Sequence, residues 1–273
     1  MKNLIKEFIA SNIFYTMPCV FFLLIVRNAL EKYCFQRIAI CCGLTHKNNK
    51  IYRFNRSCWH LFYYLMAVMH TAIVLHDKPW MKDDAHFWTF HEHRMTTDVW
   101  FLVVLNLSYF FSLIIKLLTT KIRKDFAENM VHHIIAILLI FQAIFMNLYH
   151  VASFTILILF PSDIFLELAK ILIYLKYDIP SKVCFVLFSI VWVIMRLILY
   201  PMWIVYPSML YSYEIVGPIL YYINVIVFGS LMVLYLFWTY KIYLMDKRLI
   251  FEKILEDYRS DDDDYDAKFN KNR

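Results

Sequence analysis

The sequence predicts an all-α, polytopic integral membrane protein of about seven transmembrane helices. Two observations carry that reading. Of 273 residues, 61% are hydrophobic and 19% aromatic, against about 45–50% apolar in an average soluble domain. The apolar residues also come in runs of about 20, the length that crosses a bilayer core of about 30 Å. Backbone polar groups cannot face lipid unpaired, so the runs must be helices or barrel strands. Their length and lack of strict alternation choose helices.

The runs cover residues 11–27, 58–75, 99–118, 131–149, 151–175, 183–205 and 217–240. The first is followed by basic residues and has no small-residue cleavage site, so it reads as an anchor and not a signal peptide. Only a tight turn near Asn147–His150 separates the fourth and fifth. These two are therefore expected as antiparallel neighbours. Trp80, Trp88, Trp100, Trp203, Tyr206, Tyr211 and Tyr213 cluster at span ends, where amphipathic rings sit at the membrane surface. The six cysteines show no CxxC spacing and read as reduced and structural.

Charge between the runs sets orientation. The loop 28–57 carries Lys32, Arg37, Lys47, Lys50, Arg53 and Arg56, and the loop 119–130 carries Lys121, Arg123 and Lys124. Lys176 and Lys182 follow the fifth run, and basic residues from Lys241 to Lys253 follow the last. The fourth and sixth loops have no Lys or Arg. Basic loops stay cytosolic. The N-terminus is then lumenal or outside and the C-terminus cytosolic. The net charge of +6 belongs to these loops. No basic-aromatic patch or zinc spacing points to nucleic acid. Three parts result: an anchor helix and basic cytosolic loop over 1–57, a transmembrane domain over 58–245, and an acidic cytosolic tail over 246–273. The tail contains YRSDDDDYD, a composition that stays solvated and disordered.

Ionisable groups inside spans cost at least about 2.5–3.5 kcal/mol at a helix centre, so they are functional candidates. Asp125, Asn129, His132, Ala136, Ala143 and Asn147 fall on one stripe of the fourth span, polar or small where the rest is Ile, Leu and Phe. Such a stripe faces other helices or a cavity. His133 lies about 100° around the helix from His132, so the two are expected to differ in geometry and task. In the fifth span Asp163, Glu167, Lys170 and Tyr174 share a face, beside Ser162. Glu167 and Lys170 read as an ion pair, while Asp163 needs a cation or a histidine. His132 or His133 is expected to reach it. Arg196 is either the partner of a buried acid or an interfacial side chain. His70 and His76 read as interfacial or packing residues. A buried histidine with a carboxylate can act as a general base, bind a metal or relay protons.

The string RKDFAENMVHH at 123–133, followed after a span by SDIFLELAK at 162–170, resembles the signature of the ceramide synthases, the acyl-CoA:sphingoid-base N-acyltransferases among TLC-domain membrane proteins. Phe54, Ser57, Trp59 and Tyr63, then Pro79-Trp80 and Trp88, then Arg196-Leu197 with Tyr200-Pro201, resemble further family segments. So does Tyr258-Arg259-Ser260 before the acidic run. The resemblance implies a TLC-type bundle in the endoplasmic reticulum membrane. It implies transfer of a fatty acyl group from acyl-CoA to the amine of a sphingoid base, giving ceramide or dihydroceramide. The implied partners are fatty acyl-CoA, a long-chain sphingoid base and membrane lipids, with homo- or hetero-oligomers also admitted and nucleic acid excluded. No metal or cofactor is implied, since acyl-CoA is a co-substrate.

Carried over residue by residue, the family's His pair falls on His132 and His133, and its Ser-Asp on Ser162 and Asp163. Asp125, Asn129, Asn147, Glu167 and Arg196 are the supporting residues, and Arg123 and Lys124 the candidates for the CoA phosphates. His132 is favoured as the base, with Asp163 orienting its imidazole. The chain departs from the signature where the family has His-Asp, which falls here on Leu159 and Phe160. That departure keeps a second class open: a catalytically impaired TLC-domain lipid-binding or regulatory protein. A proton-coupled transporter is disfavoured, because the chain shows neither repeats nor helix breaks.

Overall fold

The computed structural model describes residues 2–44, 49–81, 96–120, 125–146 and 148–252. Every regular element among them is helical: α1 (Lys2–Leu30), α2 (Gln36–Cys41), α3 (Lys50–His76), α4 (Thr97–Thr119), α5 (Phe126–Phe145), α6 (Tyr149–Tyr174), α7 (Asp178–Trp192) and α8 (Tyr206–Glu252). Six helical stretches are long and apolar enough to cross a membrane: Phe14–Cys41, Lys50–His76, Thr97–Thr119, Phe126–Phe145, Asp178–Leu210 and Gly217–Phe251. The seventh expected span is α6, 26 residues long, or about 39 Å at the usual rise per residue. It carries Asp163, Glu167 and Lys170. The protein is a multi-pass membrane protein.

Local chemistry shapes the helices. Pro201 has no N–H to donate, and wide π-helical turns flank it at Val193–Leu199 and Pro201–Val205. They let α7 run on past Trp192, and one of them carries Arg196. Contrary to the expectation of no helix breaks, Gly217 interrupts α8 with φ 76° and ψ 168° just before Pro218, a conformation that glycine adopts without a Cβ penalty. One expected boundary moves. The loop expected over 28–57 is largely helical, because α1 continues through a π-turn at Glu31–Phe35 into α2 and α3 begins at Lys50. At the other end α8 reaches Glu252. The tail beyond 252 lies outside the described residues, as does Trp88.

The core centres on α6. Ile158 and Ala169 join a cluster with Leu107 of α4, Ile135 of α5, Phe188 of α7 and Tyr235 of α8. Ile156 and Phe160 join a second cluster with Leu23, Trp59, Tyr63 and Tyr109. Ile171 and Tyr174 join a third with Ala39, Ile51 and Phe54. Its most extensive neighbours are α3 and α7. The polar side chains of α6 can therefore stay within the bundle. The outer surface is apolar, with Phe21, Ile25, Ile73, Ile179 and Ile226 all exposed. Surface of that kind suits lipid and not water.

Candidate active site

The helices enclose a cavity of about 680 Å³ whose wall includes every described residue of the predicted polar stripe: Asp125, Asn129, His132, Ala136 and Ala143. The remaining stripe member, Asn147, lies outside the described residues, as do Arg123 and Lys124. At one end the wall is charged, with Arg27, Arg56, Lys116, Lys241 and Arg248. This is the end that the loop charges assign to the cytosol. Farther along the wall turns apolar, with Ile140, Met146, Leu148, Val151, Ile204 and Phe228. His132 and His133 lie between, along with Asp163 and Arg196 from α6 and the turn after α7. The cavity can thus take an amphipathic ligand, head at the charged end and chain in the apolar part.

Both histidines border the cavity, their ring centroids 5.5 Å apart at 50°. The two share a cavity but differ in geometry, as their spacing predicts: the rings are tilted and only His132 packs against Trp238 and Tyr235. A cavity wide enough to span about 100° of helix surface admits neighbouring residues. His132 packs edge-on to Trp238 at 5.1 Å and lies 6.5 Å from Tyr235. Phe110 lies 6.4 Å from His132 and 6.0 Å from His133. The Nδ1 atoms of both imidazoles are buried without a hydrogen-bond partner. Each orphaned polar atom needs an explanation, and these two belong to side chains that open onto the cavity.

Asp163 is not in contact with either imidazole. Its Oδ2 accepts from Arg196 Nη2 at 2.6 Å. The same Nη2 donates to the Leu159 carbonyl at 3.2 Å, and Nε donates to Ser162 Oγ at 3.3 Å. Ser162 in turn donates to the Leu159 carbonyl at 3.0 Å. The guanidinium also lies over the rings of Trp192 at 4.3 Å and Tyr235 at 5.0 Å. The cation that a buried Asp163 requires is therefore Arg196, and the predicted histidine–carboxylate contact gives way to an ion pair. The physical reason is reach. α6 packs far more extensively on α3 and α7 than on α5, so Asp163 meets the turn after α7 first.

Among the described residues, three further ion pairs lie at or beside the cavity. Lys170 donates to Glu167 at 2.6 Å, the ion pair read from the sequence. Lys241 donates to both oxygens of Glu128, at 2.7 and 2.8 Å. Arg27 pairs with Glu31 at 2.7 Å. Asn129 Nδ2 donates to the Asp125 carbonyl at 2.6 Å and so secures the first turn of α5. Leu159 and Phe160, which stand where the family signature has His-Asp, both border the cavity. The Phe160 ring packs 5.1 Å from Tyr64 and 6.5 Å from Tyr63. His70 and His76 do not line the cavity; His70 lies 6.2 Å from Phe101, and His76 bonds Asp77 at the surface.

Sequence reasoning missed one wall. Tyr52, Arg56, His60 and Tyr64 of α3 all border the cavity. Their spacing of four puts them on one helix face, a signal that was present but unused. Behind them His60 Nδ1 lies 2.8 Å from Tyr109 Oη, and Tyr109 stacks on Tyr63 at 3.5 Å.

Comparison with known proteins agrees with this architecture. A family profile for the TLC domain matches residues 53–244. The chain is 30% identical to human ceramide synthase 3 over 220 residues, which is 80% of this chain and 57% of the human protein. It is 29% identical to ceramide synthase LOH2 of Arabidopsis thaliana over 262 residues, 88% of each. It is also 27% identical to ceramide synthase 4 of Bos taurus over 248 residues, 84% of this chain and 63% of that protein. The chain thus spans only a little over half of the human relative. With the matched domain covering most of its length, the chain belongs to the TLC-domain family of membrane proteins.

Proposed function

We propose that the protein is a ceramide synthase, transferring a fatty acyl group from acyl-CoA to the amine of a long-chain sphingoid base. The observation that carries the reading is the His132–His133 pair. Both rings have an unpartnered Nδ1 and border a cavity that is charged at one end and apolar at the other. Similarity to ceramide synthases supports the choice of substrates. The reading includes residence in the endoplasmic reticulum membrane with the N-terminus lumenal and the C-terminus cytosolic, which the distribution of basic loops supports.

In this mechanism the acyl chain lies in the apolar part of the cavity and the CoA leaves through the charged end. Arg123 and Lys124 stay the candidates for its phosphates. His132 takes a proton from the attacking amine and passes it to the departing thiolate. Attack through an acyl-histidine intermediate is the variant of the same chemistry. The test is expression in microsomes lacking endogenous activity, supplied with labelled acyl-CoA and sphinganine. Labelled dihydroceramide is the expected product, and its absence contradicts the reading.

One observation favours a second reading, a TLC-domain lipid-binding or regulatory protein. Phe160 stands where the family signature has an aspartate, and its ring is packed against Tyr63 and Tyr64. Purified protein that binds sphingoid base and never turns over would support this reading against the first.

A further inference from the structure

We propose that Arg196 is a catalytic residue whose guanidinium stabilises the oxyanion formed on the acyl carbonyl, and that Asp163 is the residue that positions it. The inference rests on the acyl-transfer reading above. A guanidinium carries N–H groups on Nε, Nη1 and Nη2. Nε is used by Ser162, and Nη2 by Asp163 and Leu159. Among the described residues no hydrogen bond of ordinary geometry reaches Nη1; the Tyr235 hydroxyl lies beside the group and is itself without such a bond. Arg196 is only 3% exposed, yet it borders the cavity.

A pair that served only to neutralise Asp163 would set both Nη atoms on the carboxylate, the fork-to-fork geometry that arginine favours. Here the carboxylate takes one Nη atom, and a carbonyl, a hydroxyl and two aromatic rings fix the plane of the group. The orientation is set before any ligand arrives, which is what electrostatic stabilisation of a transition state requires. The location fits too. Tyr235 touches both partners, 5.0 Å from the guanidinium and 6.5 Å from the His132 ring. An acyl carbonyl lodged between Arg196 and His132 meets a donor on one side and a base on the other.

The step balances. The amine nitrogen, or an imidazole nitrogen in the acyl-histidine route, adds to the thioester carbonyl carbon. The π pair moves to oxygen, and the oxyanion takes hydrogen bonds from Nη1. Collapse re-forms the carbonyl and breaks the C–S bond. In the direct route CoA leaves as thiolate and accepts the proton that the imidazole took from the amine. In the acyl-histidine route the thiolate accepts the attacking imidazole's own N–H proton, and the amine then displaces the imidazole from the acyl carbon and returns a proton to it.

The test compares full-length wild type, Arg196→Lys, and the charge-balanced double variant Asp163→Asn/Arg196→Gln, in bilayer nanodiscs with acyl-CoA and sphinganine. Thermal melting reports folding. The double variant is expected to lose about 10²–10³-fold in kcat, with KM for acyl-CoA held within about threefold. Arg196→Lys keeps the charge and loses the planar fork, so it is expected to fall between the two. Arg196→Ala in added guanidinium is expected to regain part of the lost kcat, which a purely structural residue would not. A double variant whose kcat stays within about threefold of wild type overturns the inference and leaves the acyl-transfer reading standing. If the double variant does not fold, full activity in Arg196→Lys together with no guanidinium rescue overturns it. Wild type that transfers no acyl group removes the reading and the inference together.

Discussion

Two walls of one cavity differ in how their polar groups are satisfied. On the α6–α7 side, Asp163 is closed on Arg196 at 2.6 Å and Glu167 on Lys170 at 2.6 Å. On the α5 side, His132 and His133 keep buried Nδ1 atoms without partners. The first wall is locked by its ion pairs. Removing one member of such a pair strands a charge in a dry place, at a cost of several kcal/mol. The second wall gives up that stability. Leaving a donor or acceptor unpaired costs about 1–3 kcal/mol per group, and a fold tolerates that where the group has work to do with something that arrives later. Cost and pairing together, and not the mere presence of ionisable residues, separate the groups that exchange protons from those fixed in place before a ligand arrives.

That comparison can be broken at several points on the paired side. Arg196→Leu strands Asp163 and is expected to destabilise the fold by about 3–5 kcal/mol. Adding Asp163→Leu to the same chain is expected to restore most of the loss. Denaturation of the detergent-solubilised single and double variants measures both. Phe160→Ala removes a ring packed on Tyr63 and Tyr64. It is expected to cost about 3 kcal/mol, the low end for phenylalanine because the ring borders open space. Thermal melting reads it. Lys241→Ala is expected to cost no more than about 1 kcal/mol, since the Lys241–Glu128 pair is part-exposed, at 33% and 23%. A larger loss there would mean that the rim is locked as well.

The fold was largely legible because a bilayer leaves few choices. Runs of about 20 apolar residues with little alternation admit only helices, and the seven runs fall on helices. The stripe Asp125, Asn129, His132, Ala136 and Ala143 was legible for the same reason, since helical spacing names the face and small or polar residues name its surroundings. Partner choice was not. Asp163 needed a cation or a histidine, and the residues alone could not say which helix would come within reach. That depends on the packing of α6 against α3 and α7 and on a π-helical turn that carries Arg196. The α3 wall was missed for another reason. Tyr52, Arg56, His60 and Tyr64 also keep helical spacing, but aromatic residues near a span end read equally well as interfacial anchors.

The central claim is that the unpaired imidazoles carry out the proton and acyl transfer, while the paired charges hold the site and fix the orientation of Arg196. Its most direct test is acyl transfer from labelled acyl-CoA to sphinganine by wild type and by His132→Ala/His133→Ala, each with its melting temperature. The account predicts that the double variant loses about 10²–10⁴-fold in activity while still melting cooperatively, since the packing lost with the two rings is partly offset by removing their orphaned atoms. Acyl transfer that persists at the wild-type rate in that variant would contradict it.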